Sequence, residues 1–352
     1  MNPRDKDITA QAEEALRQCL KRVPFLRVLQ VRREPRLKEA RPDLAATVKV
    51  KGRTVKLLVE VNANGEPRTA RNAANQLVRS VDQVPKSYGV FIAPYISSAA
   101  ADICTNDGLG YVDLSGNCRL CFGSVFVEQN GRPNRYSEKR RLRSIFSPKA
   151  ERILRVLATE PRRAWKTVDL AAEAGVSIGH VAKVKKRLAD REWIEAGRKG
   201  FALIAPEELL NEWSKAYDFG KNDTSELYSL ESLPDIEARL AQVLEAKGIR
   251  YALTAFSAAA RMAAAVRYRR VTAYVEDLPE SLLSELGMKR VDSGANVSLA
   301  VPYDAGVFYG SRQVEGVTLA SPLQVYLDLL SFRGRGAEAA EAIRRDILEK
   351  SW

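Results

Sequence analysis

The sequence predicts an α/β protein of more than one domain, and three observations carry that prediction. The chain has 352 residues, which at roughly 100–200 residues per domain allows two or three domains. It is 45% hydrophobic and 28% charged, as ordinary globular proteins are and disordered chains are not. Helical spacing and strand-like alternation of apolar residues follow each other along the chain. Several α/β cores are therefore expected.

Composition excludes several classes of protein. No apolar run approaches the roughly 20 residues that span a bilayer, and the N-terminal segment lacks a signal sequence, so we expect a cytoplasmic protein without membrane contact. The single histidine, His180, argues against a Ser-His-Asp hydrolase and against a His-rich metal site. Cys118 and Cys121 form a CxxC pair, but on a strand they would point to opposite faces. That arrangement suits neither zinc nor a disulfide.

The net charge of +12 is unevenly distributed. Residues 1–143 hold 26 basic and 15 acidic side chains, and residues 144–217 hold 14 and 10, which gives net charges of +11 and +4. Residues 218–352 hold 16 basic and 19 acidic side chains, a net charge of −3. The first two segments are therefore predicted to face a polyanion, although a basic surface can also serve solubility alone.

Two breaks in composition predict the domain boundaries. Residues 132–144 are rich in arginine and almost free of apolar side chains, which is typical of a basic linker, and residues 218–233 are rich in Ser, Asp, Asn and Gly. We therefore predict one domain over residues 1–131, a second over 145–217 and a third over 234–352.

The first segment has the pattern of an α/β sandwich. Its predicted elements alternate between helical and strand periodicity. In chain order they are a helix at 9–23, strands at 45–50 and 54–61, a helix at 69–83, a strand at 88–93, a helix at 97–107, and strands around 111–114 and 118–129.

Two acidic residues on the first predicted hairpin have the spacing of a PD-(D/E)xK nuclease site. Asp43 follows Pro42, and sixteen residues separate it from Glu60. Two such carboxylates could bind Mg²⁺ beside a scissile phosphate. The lysine expected two residues after Glu60 is replaced by Asn62, which cannot supply a positive charge. Lys56 shares the strand face of Glu60 and could replace that lysine, or it could belong to the basic face of a hairpin.

These residues, with the polar helix that follows and the stretches 89–95 and 110–117, resemble the restriction-endonuclease-like domain of the PD-(D/E)xK superfamily over residues 8–130. The resemblance implies that Asp43, Glu60 and Gln76 line the cleft. It implies a Mg²⁺ ion on Asp43 and Glu60 if the site is active, and otherwise no cofactor. Asn62 argues against nuclease activity.

The second segment predicts a helix-turn-helix. A helix beginning at Ser147-Pro148 precedes a short helix at 167–174, a turn containing Gly175, and a helix at 178–190 capped by Ser177. The next residues predict a hairpin with a basic tip. The unit resembles the winged helix-turn-helix of bacterial transcription regulators over residues 145–206. Its DNA-contacting candidates are Ser177, Gly179, His180, Lys183, Lys186, Arg187, Arg198 and Lys199.

The third segment predicts a smaller α/β domain. The stretches 251–259, 294–299 and 321–341 resemble the C-terminal domain of AbiEi-type antitoxins of type IV toxin-antitoxin systems, over roughly residues 235–350. In that family a winged helix-turn-helix precedes this domain and represses its own operon. The resemblance implies a cognate toxin or another protein partner, and a homodimer is expected.

Two functions therefore remain open at the level of sequence. The first is a sequence-specific, double-stranded-DNA-binding regulator in which the nuclease-like domain does not cut. The second is a Mg²⁺-dependent endonuclease targeted by its winged helix. We favour the first because Asn62 occupies the position of the catalytic lysine.

Overall fold

The computed structural model describes residues 3–35, 40–136, 145–263 and 267–352, and of residues 3–7 it describes the backbone alone. The chain divides into two compact units. The first contains residues 1–142 with 188–192, and the second contains residues 143–187 with 193–352. Among the described residues, no helix is both long enough and apolar enough to cross a membrane.

The first unit is built on a seven-stranded sheet. Its elements in chain order are α1 (Pro3–Leu20), β1 (Leu26–Arg33), β2 (Leu44–Val50), β3 (Arg53–Val61), α2 (Pro67–Gln83), β4 (Ser87–Ala93), α3 (Ser98–Asn106), β5 (Gly110–Asp113), β6 (Cys118–Phe122) and β7 (Val125–Gln129).

The strands of this sheet lie side by side in sequence order. β3, β4 and β5 are parallel, and the other neighbouring pairs are antiparallel. Helix α1 covers one face, where Leu16 and Leu20 pack among the side chains of β2, β3 and β4. Helices α2 and α3 cover the other face, where Leu77 packs near Leu58 and Phe91. The result is a sheet between helical layers, as the alternating pattern predicts.

Two features of this sheet differ from the sequence-based prediction. Strand β1 was not predicted, because its arginines and glutamine interrupt the apolar alternation on an edge strand. The single strand predicted over 118–129 is two strands joined by a turn at Gly123, whose φ of 56° suits glycine. Cys118 is buried and Cys121 is exposed, so the two thiols do lie on opposite faces of β6.

The second unit begins with three helices and a hairpin. These are α4 (Pro148–Thr159), α5 (Thr167–Glu173), α6 (Ile178–Asp190), β8 (Ile194–Gly197) and β9 (Gly200–Leu203), followed by α7 (Pro206–Ala216). Helix α7 was not predicted, although Pro206 at its first turn and two following glutamates are typical helix-start signals. Its Leu209, Leu210 and Trp213 are buried.

The rest of the second unit is a mixed seven-stranded sheet with helices. Its strands lie in the order β13-β10-β14-β12-β11-β16-β15. In chain order the elements are β10 (Asp223–Tyr228), α8 (Leu233–Ala246), β11 (Tyr251–Leu253), α9 (Ala255–Met262), β12 (Val271–Val275), α10 (Glu280–Glu285), β13 (Lys289–Arg290), β14 (Val297–Val301), β15 (Arg312–Val314), β16 (Val317–Leu319), α11 (Pro322–Leu330), α12 (Gly336–Ile343), a π-helical turn (Arg344–Leu348) and α13 (Glu349–Ser351).

The prediction of a linker over residues 218–233 is wrong. Strand β10 lies within that segment and pairs with β14 and β13. Its Ser225 and Leu227 are buried on alternate positions, as a strand requires, while the polar composition had suggested a loop. The other predicted linker, 132–144, is described only to Tyr136, and residues 137–144 lie outside the described part of the chain. At its start, the side chain of Asn117 bonds both backbone groups of Arg132.

A buried polar cluster joins helix α4 to helix α11 of the C-terminal part. Arg155 donates two hydrogen bonds to Oε1 of Gln324, at 3.0 and 2.8 Å, and its Nη1 lies 3.5 Å from Oε2 of Glu151. Nε2 of Gln324 donates to Oδ1 of Asp328 at 2.8 Å. We call Glu151, Arg155, Gln324 and Asp328, with the hydroxyl groups of Tyr217, Tyr274, Tyr303 and Thr254 that bond them, the buried polar cluster.

Arg155→Ala should destabilise the protein by about 3–5 kcal/mol, because it leaves the Glu151 carboxylate buried without its cation. The change in the free energy of unfolding can be measured by urea denaturation. The matched control is Arg239→Ala, which removes a partly exposed ion pair to Glu231 and should cost less than about 1 kcal/mol. Equal small losses in both variants would contradict the role given to Arg155.

Candidate carboxylate site and nucleic-acid interface

Asp43, Glu60 and Gln76 meet on the face of the first sheet that α2 partly covers. Asp43 directly precedes β2, and its Oδ2 accepts a hydrogen bond of 2.7 Å from the backbone N–H of Val61. Gln76 on α2 donates from Nε2 to Oε1 of Glu60 at 2.8 Å. The carboxyl groups of Asp43 and Glu60 lie close enough that the charge of Asp43 affects the pKa of Glu60. The structure thus brings together three residues that are far apart in sequence.

One carboxyl group of this pair has a pKa that is raised into the neutral range. Burial raises the pKa of Glu60 to about 8, and the charge of Asp43 adds to that rise. Burial also raises the pKa of Asp43. The backbone N–H of Val61 and the neighbouring carboxyl group of Glu60 act in the opposite direction and offset part of that rise. Two close carboxylates repel each other, so one of them retains its proton. Here the proton resides on Glu60.

Asn62 and Lys56 do not complete this pair with a positive charge. Asn62 follows the last residue of β3, is half-buried, and donates its backbone N–H to the carbonyl of Ile92 at 2.9 Å. Lys56 is exposed on the same face as Glu60 but four residues earlier, about 13 Å along the strand. The buried side chain of Leu58 lies between them. Lys56 thus belongs to an exposed hairpin whose turn, at Lys51 and Gly52, has positive φ at both residues.

Asp43 and Glu60 could supply only part of the coordination shell of a divalent cation. Two carboxylates are ligands that Mg²⁺ takes when water or substrate phosphates complete its shell. Within the described residues, no group of three or more His, Cys, Asp or Glu side chains is placed to hold a metal ion. Asp43 and Glu60 would therefore be the protein ligands of any bound Mg²⁺.

Helix α2 presents a polar, basic surface beside the pair. Its buried positions recur at helical spacing, and its opposite face exposes Arg68, Arg71, Asn75, Gln76 and Arg79. Between Arg68 and Arg79 the helix contains no acidic residue. Arg71 forms a bidentate ion pair with Glu192, with both N–O distances 2.9 Å.

Helix α6 has an exposed lysine face and a capped N-terminus. The Ser177 Oγ accepts a hydrogen bond of 3.3 Å from the backbone N–H of His180, which caps the first turn as predicted. Gly175 ends the preceding turn at a φ of 61°. Val181, Val184 and Leu188 are buried. The predicted contact residues Ser177, Gly179, Lys183 and Lys186 are exposed, and Arg187 is half-buried.

Two residues of α6 differ from the prediction. Ile178 was expected in the core but is 51% exposed, because it lies on the first turn at the margin of the stripe formed by Val181, Val184 and Leu188. His180 was expected to point outward but is half-buried, and its Nε2 is enclosed without a hydrogen-bond partner among the described residues. Burial, together with the charges of Lys183, Lys149 and Arg187, lowers the pKa of His180. The imidazole is therefore neutral at pH 7.

The hairpin after α6 places two cations at its tip. Arg198 and Lys199 connect β8 to β9 and are both exposed. The backbone groups of Trp165 and Phe201 bond each other at 2.8 and 3.0 Å, which adds a third segment to the hairpin. A Cβ at Gly200 would lie 2.3 Å from the carbonyl oxygen of Trp165, so this close approach requires glycine.

Residues 202–349 match a protein-family model described as "Transcriptional regulator, AbiEi antitoxin, Type IV TA system". The match confirms the predicted resemblance of the C-terminal part of the chain. It begins 33 residues before the predicted start at 235, and so includes α7 and β10. This α/β protein thus has a C-terminal part of the antitoxin-regulator class, and the match covers less than half of the chain.

Solved structures give slighter likenesses. A repair endonuclease from Pyrococcus abyssi is 14% identical, with a TM-score of 0.22, over 29% of this chain and 46% of its own. A structure of an EndoMS–dsDNA complex is 16% identical, with a TM-score of 0.21, over 29% of this chain and 44% of its own. Pyrococcus furiosus SfsA in complex with Ca²⁺ is 13% identical, with a TM-score of 0.20, over 36% of this chain and 64% of its own.

This chain therefore spans less than two thirds of each of those structures. At these TM-scores the likenesses transfer neither a fold nor an activity. No curated protein matches the chain.

The proton that Glu60 retains predicts how stability depends on pH. The unfolded chain loses this proton near pH 4.5, whereas the folded protein keeps it to about pH 8. The contribution of protonated Glu60 to the free energy of unfolding is therefore complete below pH 4.5 and is lost as the pH rises from there to about 8. Glutamine at position 60 stays neutral at every pH, so Glu60→Gln should remove this part of the pH dependence. Between pH 5 and pH 8.5 the variant should therefore lose less stability than the wild-type protein.

Urea denaturation of both proteins between pH 5 and 9 measures this difference. Glu128→Gln, which changes a partly exposed glutamate of the same unit, is the control and should keep the wild-type slope. If the free energies of unfolding of wild type and Glu60→Gln change in parallel with pH, the pKa of Glu60 is not raised in the folded protein.

Proposed function

We propose that the protein is a sequence-specific, double-stranded-DNA-binding transcriptional regulator of the antitoxin type, with a winged helix-turn-helix over residues 145–217. The observation that carries this proposal is the exposed lysine face of α6, which follows a capped turn and precedes a hairpin with two cations at its tip. The antitoxin-regulator match over residues 202–349 supports a regulatory role.

In this proposal α6 enters the major groove with its N-terminal residues towards the base edges. Ser177 and Gly179 are exposed there, and no atom lies within 4 Å of a Cβ built on Gly179, so a base can approach closely. Lys183 is one turn further along and can donate to guanine. Phosphates would be bound by Lys186 and Arg187 of the helix and by Arg198 and Lys199 of the hairpin.

In this proposal His180 contributes less to DNA binding than the exposed lysines do. It is neutral and half-buried, so it would contact a base through an exposed ring edge and contribute no charge. The first domain would bind without cutting. Glu60 is protonated, Asn62 is an amide and Lys56 is distant, so β3 supplies no cation at the position of the catalytic lysine.

Lys183→Ala and His180→Ala should each reduce the discrimination between operator and random duplex by about 1–3 kcal/mol for a lost base contact. Arg198→Ala should weaken binding to both duplexes equally, because it removes a phosphate contact. Fluorescence anisotropy on the protein's own upstream region and on a scrambled duplex measures both effects. Lys289→Ala, an exposed cation of the C-terminal sheet, is the control. If Lys183→Ala lowers the affinity for both duplexes equally, Lys183 does not contact a base.

A second candidate function is a Mg²⁺-dependent endonuclease, which the contact between Asp43 and Glu60 favours. Incubation of supercoiled plasmid with the purified protein and Mg²⁺ or Mn²⁺ tests it. We expect no nicking, because the lysine position is Asn62. Metal-dependent nicking that Asp43→Ala abolishes would establish the nuclease and overturn the regulator without catalysis.

A protein partner is also part of the proposal. The matched family is named for an antitoxin, which implies a toxin, and the predicted homodimer would present two winged helices to a two-fold operator.

A further inference from the structure

We propose that the open face of strands β1, β2 and β3 in the first unit is a second binding surface for the phosphate backbone of duplex DNA. This basic sheet face is defined by Arg27, Arg32, Lys49 and Lys56. The inference rests on the proposed function for the identity of its ligand, but its residues are separate from those of α6 and the hairpin.

Strand register places these side chains on one side of the sheet. Arg27 pairs with Lys49, which pairs with Thr54, and Gln30 pairs with Thr47, which pairs with Lys56. The next row begins at Arg32. A bulge between Val28 and Gln30 keeps Gln30 and Arg32 on the same face as Arg27. Neighbouring rows are about 7 Å apart and cross-strand neighbours about 5 Å apart.

Among the described residues, no helix packs over the rows of Arg27 and Gln30, whereas the row of Arg32, which contains Ala45 and Leu58, reaches the edge of α2. Helix α1 packs on the opposite face, against alternate residues such as Val48 and Leu57. Helix α2 packs over Leu58 and Phe91, towards β4. Arg27, Arg32, Lys49 and Lys56 are accordingly exposed.

The four cations are not neutralised within the sheet. Among the described residues none of them is ion-paired with a carboxylate. Strands β1 and β2, and β3 as far as Glu60, contain no acidic residue. Exposed arginines of the C-terminal sheet differ, since Arg250, Arg270 and Arg290 each lie beside a glutamate. The basic sheet face therefore retains a concentrated positive potential that a polyanion can neutralise.

Charge and shape together favour duplex DNA over an acidic protein. Between the cations, Gln30, Thr47 and Thr54 can bond phosphates. The apolar side chains beside them are Ala45 and the exposed Leu29 at the bulge, which is far less than the apolar core of a protein interface. The three rows span about 13 Å. Along that length a duplex carries about eight charges, at one per roughly 1.7 Å.

The face also continues onto α2. Gln76 lies at the edge of the exposed side of α2 and bonds Glu60, which terminates the basic face on β3. Arg68 and Arg79 share that exposed side at helical spacing. Phosphates bound on the sheet could therefore extend along α2.

The experiment compares two full-length variants with equal changes of net charge. The test variant is Arg27→Gln, Arg32→Gln, Lys49→Gln and Lys56→Gln. The control variant is Lys289→Gln, Arg312→Gln, Arg333→Gln and Lys350→Gln, whose residues are exposed cations of the second unit. Binding to a scrambled 40-base-pair duplex and to the upstream region is measured by anisotropy at several salt concentrations, after thermal melting has verified that both variants are folded.

The test variant should lose affinity equally on both duplexes, and its slope of log K against log salt should become shallower by about 3 to 4, at about 0.9 for each lost phosphate contact. The control should keep nearly the wild-type slope. Equal slopes in the test and control variants would overturn the proposal, as would unchanged DNA binding with loss of an acidic protein partner. If the wild-type protein binds the upstream region and the scrambled duplex equally well, base readout by the winged helix is contradicted. The difference in salt slope between the test and control variants would still decide whether the sheet face binds phosphates.

Discussion

The second unit depends on one buried polar interaction, the pairing of Arg155 with Gln324. The guanidinium lies fully buried on α4, and the amide lies fully buried on α11, 169 residues away. Each residue has a partner one helical turn away, Glu151 before Arg155 and Asp328 after Gln324. Two i,i+4 pairs therefore meet in an environment where an unpaired charge would cost several kcal/mol, and Nη1 of Arg155, which has no hydrogen bond within the described residues, is balanced by the Glu151 carboxylate at 3.5 Å. No single member can be removed without leaving another unsatisfied.

This cluster makes the three-helix group and the C-terminal sheet parts of one compact unit. Tyr217, which follows α7, donates to Asp328 at 2.6 Å, and Arg152 on α4 donates to Asp304 at 2.8 Å. Directional bonds fix the orientation of α4 in a way that apolar packing alone would not.

The sequence predicted those parts of the fold that rest on local pattern. The α6 helix, its Ser177 cap and the turn at Lys51 follow from neighbouring residues, and the structure has them where expected. Strand β10 was mistaken for a linker because its burial comes from β13 and β14, which composition cannot reveal. The family resemblance implied that Gln76 and Glu60 line one cleft, but it did not predict the hydrogen bond between them. The raised pKa of Glu60 depends on a burial that only the folded chain creates.

The first unit combines a strong positive surface with a carboxylate pair that holds its own proton. A hydrolytic site needs charge where the transition state develops it, and here Lys56, the lysine of β3, lies on the open sheet instead. With Glu60 protonated, the pair carries a single negative charge and repels a phosphate backbone less than two carboxylates would. The cations Arg27, Lys49 and Lys56 lie on the same sheet face as this pair but at a distance along the strands, so the positive surface and the carboxylates are separate features of the first unit.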